Sequence, residues 1–137
     1  PNAIRRRYLE DHCGLEVMDG ANLAPTDLFD IVIDGVGYES TRAMCTAHAA
    51  PGGVIGHIGL GSPAGGLDVR RMTLQEITFV GTYTYTAADF RETVAAMADG
   101  RLGSLDWTET RPLSEGARAF ADIRAGQVAA PKIILKP

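Results

Sequence analysis

The chain of 137 residues carries three histidines and two cysteines, the side chains best suited to metal ligation or nucleophilic chemistry. His12 and Cys13 are adjacent, while His48, Cys45 and His57 stand apart. No CxxC pair occurs, and a zinc site needs more Cys or His at ligand spacing than this. Cys13 and Cys45 therefore read as free thiols of a reducing compartment. Asp30 and Asp34 bracket an apolar run. Paired carboxylates can work as general acid and base, but here strand-end solvation or a hydrogen bond to a neighbouring loop is the favoured reading. His57 lies within an apolar, glycine-rich stretch and reads as a satisfied core histidine. Tyr83, Tyr85 and Trp107 could line a substrate pocket, although such rings more often serve cores and interfaces. None of these residues is assigned as catalytic, and no metal site is assigned.

Composition narrows the class. Seventeen acidic against 13 basic residues give a net charge of -4, which argues against a general nucleic-acid binder. An apolar share of 45% and a charged share of 22% are those of a globular domain. No charged-then-apolar leader opens the chain. No apolar stretch approaches the ~20 residues that span a bilayer. The expectation is a soluble, cytoplasmic protein with no membrane and no nucleic-acid partner.

The elements that would position these residues follow from pattern. Pro1 to Gly14 predicts a helix with Arg5, Arg6 and Arg7 near its start and Gly14 as its stop. Leu15 to Met18 predicts a short strand. Phe29 to Gly37, with three consecutive β-branched residues, predicts a strand buried on both faces of a parallel sheet. Glu39 to Ala49 predicts a helix capped by Ser40, with Ala43, Met44 and Ala47 facing inward. Pro51-Gly52-Gly53 ends it, and Val54 to Gly61 is the next strand, so one βαβ unit is complete. Leu67, Val69, Met72 and Leu74 alternate with polar neighbours and suggest short extended pieces. A third strand ends at Gly81. Thr86 and Asp89 form a capping box for a helix to Gly100 whose face is Phe90, Val94, Met97 and Ala98. Leu105 to Arg111 reads as an edge strand before Pro112. Ser114 caps a last helix that buries Ala117, Phe120, Ala121 and Ile123. Pro131 to Leu135 is the final strand.

The ordered set of segments resembles the C-terminal half of a medium-chain dehydrogenase/reductase, in the branch of zinc-dependent alcohol and polyol dehydrogenases. Asp30-Ile31-Val32-Ile33-Asp34-Gly35-Val36-Gly37 looks like the fourth Rossmann strand of that family. Pro51-Gly52-Gly53 through Leu60 looks like the fifth, and Glu76 through Tyr83 like the sixth. Phe90 to Leu102, Pro112-Leu113-Ser114-Glu115-Gly116-Ala117 and Lys132-Ile133-Ile134-Leu135 are similar to the closing segments. The resemblance implies an α/β fold. Residues 1–81 would be the C-terminal portion of an NAD(P)-binding Rossmann domain with a doubly wound parallel sheet. Residues 82–137 would be the C-terminal α+β segment of a catalytic domain. The glycine-rich pyrophosphate turn of such domains and the family's zinc ligands have no counterpart, which implies a fragment of a longer enzyme, inactive alone.

In open α/β sheets, ligands sit at the carboxyl ends of strands. By resemblance, Gly35 and Val36 would lie on the ribose side of the cofactor. Ile58, Gly59 and Leu60 would meet the nicotinamide ribose and carboxamide, and the backbone of Thr82, Tyr83 and Thr84 would be the other carboxamide contact. Arg5 would approach the adenosine ribose, or the 2′-phosphate of NADP, or belong to a solvated basic face. Lys132 would touch ribose or pyrophosphate, or be a surface lysine. The cofactor would be NAD or NADP, with zinc held by ligands outside this chain, and the substrate an alcohol or polyol. A homodimer or homotetramer through the edge strand near Glu76-Val80 is implied. The alternative is a non-catalytic dimerisation fragment that keeps only this edge.

Overall fold

The computed structural model describes residues 2–137. Helices and parallel strands alternate through most of the chain, giving a mixed α/β fold. Two compact units are present, one spanning Gly20–Tyr85 and one combining the residues up to Asp19 with Thr86–Pro137.

In the Gly20–Tyr85 unit, β1 (Phe29–Asp34), β2 (Ala49–His57) and β3 (Thr78–Gly81) form a parallel sheet in the order β1-β2-β3. Helix α2 (Glu39–His48) crosses from β1 to β2, and α3 (Val69–Leu74) precedes β3. Val54, Val32 and their neighbours fix the register, with Ile31 opposite Val54 and Val32 opposite Ile55. Ile55 in turn lies opposite Phe79. Strand residues alternate between faces, so Val32, Ile55 and Phe79 share one face. That face meets Cys45, Ala49, Met72 and Ile77 to form the core of the unit. Ile55 is fully buried, and burying such a side chain stabilises by about 1.5–3 kcal/mol.

The opposite face is open. Ile31 is 70% and Ile33 61% exposed. The expectation of a strand buried on both faces therefore fails for β1. Helices α2 and the core side chains cover one face only, and β1 is an edge strand. A continuous apolar run records what a strand can tolerate, not how many layers lie over it.

Other expectations are corrected in the same way. Leu15 to Met18 is not a strand, because none of the sheet strands pairs with it. Val69 to Leu74 is not extended but helical: Asp68 caps α3, accepting the Arg71 N–H at 2.8 Å. Met72 lies three residues after Val69, a spacing that suits a helix as well as alternation. Helix α2 is capped at Tyr38, not Ser40, and the Tyr38 N–H donates to Thr41 Oγ1 at 3.0 Å. Its buried residues are Arg42, Cys45 and Thr46, while Ala43, Met44 and Ala47 are exposed.

In the other unit, α1 (Ala3–Cys13) begins at Asn2, whose side chain accepts from the Ile4 N–H. It ends at Gly14 in the left-handed conformation, as expected. The suggested role of Pro1 falls outside the described residues. Helix α4 (Ala87–Ala98) has the expected capping box, with the Thr86 N–H donating to Asp89 Oδ2 at 2.8 Å and the Asp89 N–H to Thr86 Oγ1 at 3.2 Å. Its expected inward face is exposed at Phe90, Val94 and Met97, and Ala96 is buried instead. Strands β4 (Thr108–Pro112) and β5 (Lys132–Lys136) pair in parallel across α5 (Gly116–Arg124), a second strand–helix–strand unit. Ser114 does not cap α5, because a single 3-10 turn over Leu113–Glu115 intervenes. Helix α5 buries Ala119, whereas Phe120 and Ile123 are exposed. Arg111 on β4 joins the helix, donating from Nη1 to Asp122 Oδ2 at 2.6 Å. Among the described residues, no helix is long and apolar enough to cross a membrane.

Candidate functional site

The carboxyl ends of β1, β2 and β3 come together at one edge of the sheet, in register, because parallel strands must end on the same side. After β1 the chain turns at Gly35 to Gly37, and after β2 at Ile58 to Gly61. Backbone bonds tie the two turns together: the Ile58 and Gly59 N–H groups donate to Asp34 O, at 2.9 and 3.0 Å. The Gly61 N–H donates to Val36 O at 3.1 Å, and the Ser62 N–H to Gly37 O at 2.9 Å. The turns approach so closely that a methyl group on Gly37 would overlap the Gly59 carbonyl, and one on Gly59 would overlap the backbone of Val36 and Gly37. Gly37 also has φ +76°, where only glycine is unstrained. The third strand end joins through the Thr82 N–H, which donates to His57 O at 2.9 Å.

Asp34 anchors the first turn. Its Oδ1 accepts from the Val36 and Gly37 N–H groups at 3.0 and 2.8 Å, and its Oδ2 from the Thr41 hydroxyl at 3.1 Å. Burial works to raise its pKa, but the N–H bonds from Gly37 and Val36, the Thr41 hydroxyl and the charge of His57 outweigh it. The carboxyl is held below its ordinary value. The loop-bonding reading of Asp34 is thus the one realised. His57 Nε2 lies 3.5 Å from Asp34 Oδ2, and the ring packs against Phe79. It is largely buried as expected, but its Nε2 makes no hydrogen bond to a described residue, so it is not the satisfied histidine the sequence suggested. Cys45, beneath the site, has its thiol pushed up to about 11 by burial and by the charge of Asp34.

Residues 62–66 form a loop after the second turn, and Arg42 holds it. This buried arginine donates from Nη1 to Gly37 O at 2.7 Å and to Ser62 O at 3.1 Å. It donates from Nε to Gly65 O at 2.6 Å and from Nη2 to Ser62 Oγ at 2.9 Å, and also to Ala64 O. The sequence reading did not single out Arg42. The signal was available: Arg42, Cys45, Thr46 and Ala49 follow the i, i+3, i+4, i+7 spacing of a buried helical stripe. Arg71 lies lower down and does not reach the loop, donating to Thr46 O of α2 at 2.7 Å and to Ala49 O at the start of β2 at 3.0 Å. Between the loop and the sheet lies an open cavity of about 470 Å³ lined by His57, Gly59, Leu60, Ser62, Ala64 and Phe79, among others.

Of the residues singled out from sequence, Gly35, Val36, Ile58, Gly59, Leu60, Thr82, Tyr83 and Thr84 all fall on this carboxyl edge of the Gly20–Tyr85 unit. Gly59 is buried; Val36, Ile58, Leu60 and Tyr83 are exposed, Leu60 to 78%. Thr84 has φ +57°, a left-handed conformation that is uncommon for a β-branched residue. Arg5 on α1 and Lys132 at the start of β5 belong to the other unit. Lys132 is exposed, and Arg5 is half-buried with its Nε making no hydrogen bond to a described residue. Among the described residues, no three His, Cys, Asp or Glu side chains gather closely enough to hold a metal ion.

The family model described as zinc-binding dehydrogenase matches residues 18–99, more than half the chain, and the chain belongs to this family. It is 27% identical over 99 residues to "Probable D-xylulose reductase A" of Neosartorya fischeri, covering 72% of this chain and 28% of that protein. Its fold is that of L-idonate 5-dehydrogenase from Escherichia coli K-12, with TM-score 0.76 and 20% identity over 98% of this chain and 41% of that one. An alcohol dehydrogenase from Escherichia coli CFT073 complexed with NADH superposes with TM-score 0.67, at 16% identity, over 80% of this chain and 33% of that one. The chain therefore spans well under half the length of these relatives.

Proposed function

We propose that this chain supplies part of the coenzyme site of an oxidoreductase that transfers a hydride between NAD(P) and an alcohol or polyol. The observation that carries the reading is the carboxyl edge of the three-stranded sheet, in a chain of the zinc-binding dehydrogenase family. There two turns pack backbone to backbone at Gly37 and Gly59, and ligands of open α/β sheets bind at such edges. The edge has surface suited to the nicotinamide end of a dinucleotide. Gly35 is open around its Cα, and Val36, Ile58 and Leu60 offer exposed apolar surface to a planar ring. Gly35, Val36, Ile58, Gly59, Leu60, Thr82, Tyr83 and Thr84 would hold the cofactor. Residues 1–81 would belong to the coenzyme domain and 82–137 to a catalytic segment. The nicotinamide would supply the hydride chemistry. A zinc ion does not fit the described residues, so its ligands would come from elsewhere in a longer enzyme, and the isolated chain would not oxidise alcohols.

Calorimetric titration with NAD and NADP tests this: saturable heat with either supports it, and none with both removes it. A second reading, a dimerisation piece, is favoured by the position of β3 at the sheet edge with Val80 exposed. Light scattering separates the two, since a dimer without cofactor binding belongs only to the second.

A further inference from the structure

The Arg42 guanidinium is nearly buried, yet none of the ion pairs among the described residues includes it. Its donors go to uncharged acceptors on two segments: Gly37 O in the turn after β1, and Ser62, Ala64 and Gly65 in the loop that walls the cavity. A buried cation is costly unless every donor is met. Here the fork geometry of arginine, which lysine lacks, meets carbonyls that a loop of this kind would otherwise turn to water. Gly37 O is shared by the Arg42 Nη1 and the Ser62 N–H, so turn, loop and arginine form one network. Gly66 packs so tightly on this helix that a methyl group there would overlap the Glu39 carbonyl.

We infer that Arg42 is a positioning residue for cofactor binding: it fixes the 62–66 loop against the Gly35–Gly37 turn and so pre-forms the wall of the cavity. The inference rests on the proposed cofactor reading. It gives the loop a defined shape before a ligand arrives, which lowers the ordering cost of binding.

The test uses the full chain with Arg42→Met, Arg42→Lys and, as a control, Arg71→Met, which removes another arginine bonded to α2 but not to the loop. Amide exchange at Gly61 and Ser62 reports loop order, and NADH fluorescence reports binding. Charged hydrogen bonds of this kind shift equilibria by about ten- to a hundredfold each. In Arg42→Met, exchange at both amides should rise and NADH affinity fall by at least ~10-fold, with Arg42→Lys between it and the unaltered chain. Arg71→Met should lower the melting temperature and leave NADH affinity unchanged. Equal affinity losses in Arg42→Met and Arg71→Met would mean a general stability effect and overturn the inference. So would loosened loop amides with unchanged NADH affinity. If Arg42→Met does not fold, Arg42→Lys and the control decide by the same comparison. An unaltered chain that binds no NADH removes the cofactor reading itself, and the inference with it.

Discussion

Substituting alanine for four glycines separates the two reasons why the turns need them. Gly35 has ordinary φ and nothing within 4 Å of a built Cβ, so Gly35→Ala should change stability by less than about 0.5 kcal/mol. Gly52 has φ +74° and open space. Gly52→Ala therefore carries only the left-handed strain, about 1–2 kcal/mol. Gly59 has ordinary φ but meets the backbone of Val36 and Gly37, so Gly59→Ala carries only the overlap, about 1–3 kcal/mol. Gly37 has both, and the neighbour it would strike is backbone, which cannot rotate away as a side chain could. Gly37→Ala should then cost roughly 2–5 kcal/mol as the two effects combine. Urea unfolding followed by circular dichroism measures the series, with exchange of the β2 amides reporting on this unit alone. A cost for Gly37→Ala no greater than that for Gly52→Ala would mean that the turns are not in this contact.

Further predictions concern the groups around the site and the second unit. Cys45, with its thiol near 11, should resist maleimide at pH 8 in the folded chain and react only on unfolding, while the partly exposed Cys13 reacts first. Asp34 has a lowered pKa, so its contribution is complete above the ordinary carboxylate value of about 3.9 and is lost as pH falls through its folded value. Asp34→Ala leaves the Val36 and Gly37 N–H groups without their acceptor, costs about 2–4 kcal/mol and flattens the acid limb of a stability–pH profile. Thr86→Ala removes the cap of α4 and should cost about 1 kcal/mol in thermal or urea unfolding.

Much of this architecture was legible because its signals are local. Three β-branched residues before Asp34-Gly35 mark β1, Gly14 stops α1, and Thr86 with Asp89 starts α4. The strand ends were legible too, since the position of turns after strands is itself a local property. What was not legible depends on what lies opposite. Ile31 and Ile33 look like core residues, and they are exposed because no described residue forms a second layer over β1. Leu15 to Met18 has strand composition but no strand beside it. Helix α2 has two candidate stripes, and the choice between them is made by Arg42 finding carbonyls on a loop twenty residues away. The stripe of Arg42, Cys45, Thr46 and Ala49 is visible at helical spacing, but the loop carbonyls that satisfy the arginine are not. His57 is the converse case: its apolar setting was visible, and the 3.5 Å approach to Asp34 across two strands was not.

The carboxyl edge of the β1-β2-β3 sheet is the proposed nicotinamide cofactor site. The most direct measurement is an NMR titration of the isotope-labelled full chain with NADH, reading backbone amide shifts. Saturable shifts clustered at Gly35–Gly37, Ile58–Ser62 and Thr82–Thr84 are expected. Shifts confined to other segments, or none at millimolar NADH, would contradict this site.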